Sequence, residues 1–206
     1  IFEEVQEERQ PNFNREIIQK IADNLGLKFT HEKETKPNTF APIDLLDYIY
    51  AVLHSPTYRE TYKEFLKIDF PRVPYPEIEN FWQLVELGSE LRQLHLLESP
   101  KLDQLITCYP MDGLNCITRK VNKNTFELTD SENELGQIWI NDRQYFDQVP
   151  LVAWNFYVGG YQPVQKWLKD RQGRVLSFED VVHYQKIIKA LSETARIMQA
   201  IDFIYI

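Results

Sequence analysis

The chain has 206 residues, 43% of them hydrophobic, with 12 Phe, 11 Tyr and 4 Trp against seven Gly, which excludes a low-complexity polymer and suits one domain or two small lobes. Its formal net charge is −8, which opposes general attraction to polyanions, and two cysteines are too few for a disulfide framework or a four-ligand zinc ribbon. No apolar run approaches the roughly 18 residues of a membrane span and no leader-like segment opens the sequence, so the expected setting is cytoplasmic, without a membrane partner.

The first residue is Ile1 and "IFEEVQEERQ" reads as the interior of a longer polypeptide, so a fragment of a larger protein is expected. In "PNFNREIIQKIADNLGL", Ile17, Ile18, Ile21 and Leu25 fall at helical spacing, with Asn14 as N-cap and Gly26 as stop. "HEKETKPNTFAP", residues 31–42, is polar, contains two prolines and has no period, which predicts a mobile loop or linker.

Pro42 suits a first helical position, and Leu45, Ile49, Val52 and Leu53 line one face after it. Ser55-Pro56 predicts the start of another helix whose apolar side is Tyr58, Tyr62, Phe65 and Leu66, and Pro71, Pro74 and Pro76 then force an extended exit. "ENFWQLVELGSELRQLHLLES" predicts a third long segment of helix with Phe81, Leu84, Val85, Leu91, Leu94 and Leu97 inward.

From Leu105 to Val149 the pattern changes to short β-branched or aromatic runs, "CITRKV", "NTFELTD" and "GQIWIN", separated by Asn, Asp and Gly turns, which predicts an antiparallel meander. A long last helix is expected after Ser177, with Asp180 completing a capping box and Val181, Ile188, Leu191, Ile197 and Ile201 on its buried side. The fold class expected is therefore α+β: a helical N-terminal half, a small central antiparallel β-meander and a long C-terminal helix. The expected parts are 1–104, mainly helical, 105–150, the meander, and 151–206, the C-terminal helical part.

Catalytic signatures are missing from this sequence. It has neither the Gly-x4-Gly-Lys-[Ser/Thr] loop that cradles phosphates nor a Gly-x-Gly-x-x-Gly opening a helix, nor the Asn/Asp-Pro-Pro-Tyr/Phe signature of amino-group DNA methyltransferases. His31, His54, His95 and His183 are widely separated, so no pair presents two metal ligands on one helical face. Glu34-Thr35-Lys36 is a triplet common by chance, and Ser55 before Pro56 reads as a cap rather than a nucleophile. Neither a catalytic nor a metal site is expected in this chain.

The distribution of charge is more informative than its total. Acid gathers at Glu3, Glu4, Glu7 and Glu8 and again at Glu127, Asp130, Glu132 and Glu134, whereas residues 115–124 hold Arg119, Lys120 and Lys123 without any acid. "VGGYQPVQKWLKDRQGR" adds Lys166, Lys169, Arg171 and Arg174 beside the single Asp170. Local cations displace counterions from phosphates, and amide side chains read base edges, so Asn122, Asn124 and Gln162 join the seven cations as candidate DNA-binding residues. The plain structural reading stands beside this one: Gly159-Gly160 for a tight turn, Pro163 to start a helix, Trp167 as a core anchor, and Lys166 and Lys169 as a solvated face.

Four stretches, "PNFNREIIQKIADNLGL", "DLLDYIYAVLHSPTYRETYKEFLKIDFPRVPYP", "FWQLVELGSELRQLHLLES" and "VPLVAWNFYVGGYQPVQKWLKDRQGRVLSFEDVVHYQKIIKALSETARIMQAID", resemble the C-terminal specificity region of type ISP restriction-modification enzymes and related single-chain restriction or methyltransferase proteins. The resemblance covers nearly the whole chain, in order. It implies a parent polypeptide carrying a nuclease, a helicase-like ATPase, an adenine-N6 methyltransferase and finally this region, which reads a short double-stranded DNA sequence and holds the duplex against the upstream methyltransferase. It implies no cofactor here, while the parent would use S-adenosylmethionine, with ATP and Mg2+ for its motor and nuclease. Residues that read bases differ among relatives with different targets, so the less recognisable Leu105–Asn141 stretch is expected to discriminate sequence, and the cations of 166–174 to hold phosphate or dock a neighbouring domain. The alternative is an interdomain scaffold with base reading left to other residues. Weak binding by the isolated region is expected from its acidity, because tethering beside a DNA-bound domain lets a weak reader act.

Overall fold

The computed structural model describes residues 11–122 and 124–205. Helix α1, Arg15–Leu25, starts where Asn14 Oδ1 accepts the backbone N–H of Glu16 at 2.9 Å and Ile17 at 3.3 Å, and it ends at Gly26 with φ 63°. Ile18, Ile21 and Leu25 are buried, while Ile17 stays exposed. Two short strands follow, β1 at Lys28–Phe29 and β2 at Thr39–Phe40, paired in parallel. The loop between them is fastened rather than a free linker: Lys33 Nζ lies 2.7 Å from Oδ1 of the buried Asp44, whose Oδ2 accepts the Ala41 N–H at 2.9 Å.

Helix α2, Pro42–His54, has Pro42 at its first turn and buries Leu45, Tyr48, Ala51 and Val52; Ile49 and Leu53 are only half-buried. Helix α3, Pro56–Thr61, is capped by Ser55, whose Oγ accepts the Tyr58 N–H at 3.0 Å. It is shorter than its apolar spacing predicts. The helix stops at Tyr62, and a single 3-10 turn at Phe65–Lys67 leaves Phe65 on the surface instead of on a buried side. Helix α4, Ile78–His95, buries Phe81, Leu84, Val85, Leu91 and Leu94, and the chain turns away at Leu97 with φ 58°.

A 3-10 turn at Pro100–Asp103 precedes a three-stranded antiparallel sheet of β3, Phe126–Asp130, β4, Leu135–Trp139, and β5, Tyr145–Pro150, in that order. The expected meander is present with a different strand set. "CITRKV" forms no strand, only an isolated bridge between Cys116 and Val175, and the third strand is Tyr145–Pro150. A β-bulge between Gly136 and Ile138, opposite Gln148 at φ 59°, interrupts the alternation that would have marked β5.

Helix α5, Leu151–Asn155, and helix α6, Pro163–Lys169, flank a turn bridged by Val158 and Tyr161, in which Gly159 takes φ 58°. Helix α7, Phe178–Tyr205, opens with the expected box: Asp180 N–H donates to Ser177 Oγ and Ser177 N–H to Asp180 Oδ2, both at 3.1 Å. Val181, Ile188, Leu191, Ile197 and Ile201 are all buried.

The chain forms two compact units, Ile1–Arg92 with Met198–Ile206, and Gln93–Ile197. In the first, Phe40 packs edge-on to Phe29 and Phe81 with ring centroids 5.3 and 6.1 Å away, and Tyr48 meets Phe81 at 5.7 Å. In the second, Ile138, Phe146 and Val149 from the sheet pack with Trp154, Trp167, Tyr184 and Ile188. No helix among the described residues is long and apolar enough to cross a membrane.

Candidate functional site

Strand geometry sorts the sheet of the second unit into two faces. Ile138 and Phe146 are fully buried, whereas Glu127, Gln137, Trp139 and Tyr145 project from the other side, with Glu127 opposite Gln137 and Trp139 opposite Tyr145. Trp139 Nε1–H donates to Glu127 Oε2 at 3.2 Å, and its ring lies 4.6 Å from that of Tyr145. The Arg119 guanidinium sits 5.3 Å from the Trp139 ring centre, with Nε 3.4 Å from Asp142 Oδ1. One small surface thus gathers a carboxylate, an amide, a guanidinium and two aromatic rings, the groups that recognise base edges and stack on bases.

The two cation-bearing segments meet through their backbones. Ile117 N–H donates to Arg174 O at 3.0 Å, Gly173 N–H to Ile117 O at 2.8 Å and Leu176 N–H to Asn115 O at 2.9 Å. Among the described residues, exposed Lys120, Lys169 and Arg174 have no ion pair, so their charges face solvent. Lys166 is different: its Nζ contacts both carboxylate oxygens of Asp170 at 2.8 Å, one helical turn on. Arg171 is half-buried, its guanidinium 3.9 Å from the Trp167 ring centre and its Nη1 3.3 Å from Trp167 O, with Nε 3.9 Å from Asp180 Oδ1.

The candidate amides are also engaged. Asn122 Nδ2 donates to Lys120 O at 3.0 Å while Oδ1 accepts Asn124 N–H at 2.7 Å, an Asx turn that shapes the approach to β3. The Asn124 side chain is exposed; Gln162, half-buried before α6, donates through Nε2 to Trp154 O at 3.3 Å. Lys123 lies outside the described residues.

A polar hub that charge and motif reading missed holds the loop before the cations. Buried Gln144 donates through Nε2 to Met111 O at 2.9 Å and Asn115 Oδ1 at 2.7 Å, and its Oε1 accepts Asn115 N–H at 2.8 Å and Asn141 Nδ2 at 3.0 Å. Tyr109 adds a hydroxyl bond to Asn115 Oδ1 at 3.2 Å, and burial pushes its phenol up to about 12. A Cβ on Gly113 would stand 2.7 Å from the Gln144 amide carbon, so the loop approaches as closely as glycine permits. These partners are 3, 29 and 33 residues from Gln144, a spacing with no local signature.

Among the described residues no group of His, Cys, Asp and Glu is placed to hold a metal ion. Cys108 is exposed, with its thiol pushed up first by desolvation and then by the Asp147 charge, the opposite of an activated nucleophile.

The sequence matches the family described as the type ISP C-terminal specificity domain over residues 2–200. No curated protein matches it. Among solved structures it is similar to a nuclease-deletion mutant of the type ISP restriction-modification enzyme LlaGI in complex with a DNA substrate mimic, at 19% identity and a TM-score of 0.58 over 82% of this chain and 14% of that one. It is also similar to the ATP-dependent type ISP restriction-modification enzyme LlaBIII bound to DNA, at 19% identity and a TM-score of 0.57 over 79% and 11% of the two chains. A DrdV–DNA complex solved by cryo-electron microscopy aligns at 20% identity and a TM-score of 0.56 over 76% of this chain and 18% of the other. At these identities the likeness is one of fold, and the chain spans less than a fifth of each of these relatives.

Proposed function

This chain belongs to the type ISP C-terminal specificity domain family, and from that membership we propose that it reads a short double-stranded DNA sequence and holds the duplex for an adenine-N6 methyltransferase carried upstream in the same polypeptide. The observation that carries the reading is the family match over residues 2–200, supported by the solved relatives, which are DNA complexes.

The outer sheet face and the loop beside it supply base recognition. Glu127 accepts from an exocyclic amine, Gln137 offers both donor and acceptor, and Trp139 with Tyr145 gives apolar contact. Lys120, Lys169 and Arg174 hold phosphates, and Arg119 does either through its guanidinium fork. Lys166 and Arg171 serve the fold instead, one neutralised by Asp170 and the other laid on Trp167. Exposed Asn124 completes the set, Lys123 stays a candidate on its charge alone, and Asn122 and Gln162, held by bonds within the chain, shape the fold. On the family resemblance, S-adenosylmethionine, ATP and Mg2+ are assigned to the parent's other parts.

The net charge of −8 makes the isolated region a weak binder, with the rest of the parent keeping it at an effective concentration of about millimolar beside the duplex. The test exchanges residues 105–141 between relatives with different target sequences inside the full-length enzyme. Methylation specificity should travel with the segment; specificity that stays with the recipient would assign base reading elsewhere and leave this region a scaffold.

A further inference from the structure

Between α3 and α4 the chain leaves the cover of its own core. Phe65 is 70% exposed, Ile68 84% and Phe70 89%, three large apolar side chains within six residues. Tyr58, Tyr62, Phe65, Leu66, Phe70 and Pro71 surround a notch of about 180 Å3, room for one large apolar side chain. Water-exposed apolar surface concentrated in this way marks an interaction site.

The charge around it selects the partner. From Glu60 to Arg72 the sequence has three cations and three acids. Each cation contacts the acid three residues before it: Lys63 to Glu60 at 3.2 Å, Lys67 to Glu64 at 2.6 Å and Arg72 to Asp69 at 3.6 Å. The surface therefore offers phosphates no net charge, unlike the cation-flanked wedges that enter a DNA groove. A second copy would bring −8 against −8. A neutral apolar patch with a notch fits a protein surface of matching chemistry. In the solved relatives more than four fifths of the chain lies outside the part aligned here.

We propose that Tyr62–Phe70 is the docking surface by which this region meets the methyltransferase-bearing part of its own polypeptide. An apolar side chain of that part fills the notch, and Ile68 and Phe70 enter an apolar cleft on it. The proposal rests on the reading above that such an upstream part exists, and it assigns that part a place of contact.

Hydrogen exchange on the full-length parent, with and without DNA, tests it. In the DNA-free parent the amides of Arg72 and Val73, which make no hydrogen bond among the described residues, should exchange at least about tenfold slower than unstructured amides, and Ile68→Ser with Phe70→Ser should abolish that protection while α2 and α7 stay protected. Exchange at the unstructured rate in the unmodified parent would overturn the proposal whatever the variant does. So would protection that arises only with DNA, which means a nucleic-acid wedge, or protection that grows with protein concentration as dimers form. Slow exchange at Arg72 and Val73 in an enzyme whose specificity ignores the 105–141 exchange would keep the docking surface and sink base reading. Fast exchange in an enzyme whose specificity follows that segment would sink docking alone.

Discussion

Ser55 shows how much one hydroxyl can fasten. It is fully buried, accepts the Tyr58 N–H as cap of α3, and donates to the Asp202 carboxylate, which also accepts the Thr57 N–H at 3.2 Å and the Thr57 hydroxyl at 3.0 Å. Ser55→Ala removes the cap and leaves one carboxylate oxygen short of a donor, so urea unfolding should show a loss of about 1–2 kcal/mol. Its neighbour His54 gives a pH signature. Burial of the ring lowers its pKa below the ordinary 6.5, opposed by the bond from Nδ1 to Tyr50 O at 2.7 Å and assisted by the Arg59 charge. The unfolded chain therefore binds the proton more readily, and stability falls as pH drops below 6.5 toward the folded-state pKa. Between about pH 7.5 and about pH 5.5 the Tm of the native chain should fall more steeply than that of His54→Gln, measured by thermal circular dichroism. At this scale caps were legible in the sequence, because Asn14, Pro42, Ser55 and Ser177–Asp180 act on backbone groups within three residues. The pairing of Lys166 with Asp170 and of Arg171 with Trp167 was legible too, at i, i+4 spacing, yet charge counting passed over both. Gln144 was not, since its bonds join residues brought together only by the folded loop.

Helices α2 and α4 meet where only hydrogen fits. A Cβ on Gly88 would stand 1.8 Å from the Asp47 carbonyl oxygen and 2.6 Å from its carbon, both backbone atoms that cannot swing aside. The same Asp47, 2% exposed, receives Arg92 in a fork, Nε at 2.7 Å and Nη2 at 3.0 Å, one turn beyond Gly88. Gly88→Ala should drive the helices apart, break that fork and cost about 3 kcal/mol in denaturant unfolding, although alanine is the better helix former. Helix periodicity foretold both elements but not their approach, because a glycine within a helical pattern signals no partner. Elsewhere periodicity misled for identifiable reasons. Tyr58, Tyr62, Phe65 and Leu66 repeat like a buried helical face, yet α3 ends at Thr61 and leaves Phe65 in solvent, so the spacing records apolar surface without saying what covers it. "CITRKV" has strand composition, but only Ile117 is buried; it bonds to Gly173 and Arg174, while Thr118 and Arg119 both turn to the Ile140 carbonyl, so no ladder forms.

At the scale of the whole molecule acid predominates, while exposed Lys120, Lys169 and Arg174, which make no ion pair among the described residues, lie in two segments that share backbone bonds. In the full-length parent, Lys169→Ala or Arg174→Ala should each lower the slope of log binding constant against log salt by about 1, and Lys166→Ala should leave it unchanged. Filter-binding or fluorescence titrations at several salt concentrations read the slope directly. Arg171→Ala should instead lower the Tm of the isolated region, since its cation–π contact, worth about 1 kcal/mol, would be lost. The overall class, helical ends around a small antiparallel sheet, was legible because it follows from runs of period 3.6 and 2. How the two compact units divide the chain was not, since the first draws its last members, Met198–Ile206, from the far terminus. The loop held by Gln144 has one more implication, for inheritance. Two of its four anchoring bonds reach main-chain atoms, Met111 O and Asn115 N, and the exposed side chains of Met111, Asp112 and Leu114 contribute to none of them. Those three positions are therefore free to mutate without unfastening the strap, and a lineage can revise the loop's outer surface while its architecture is passed on intact.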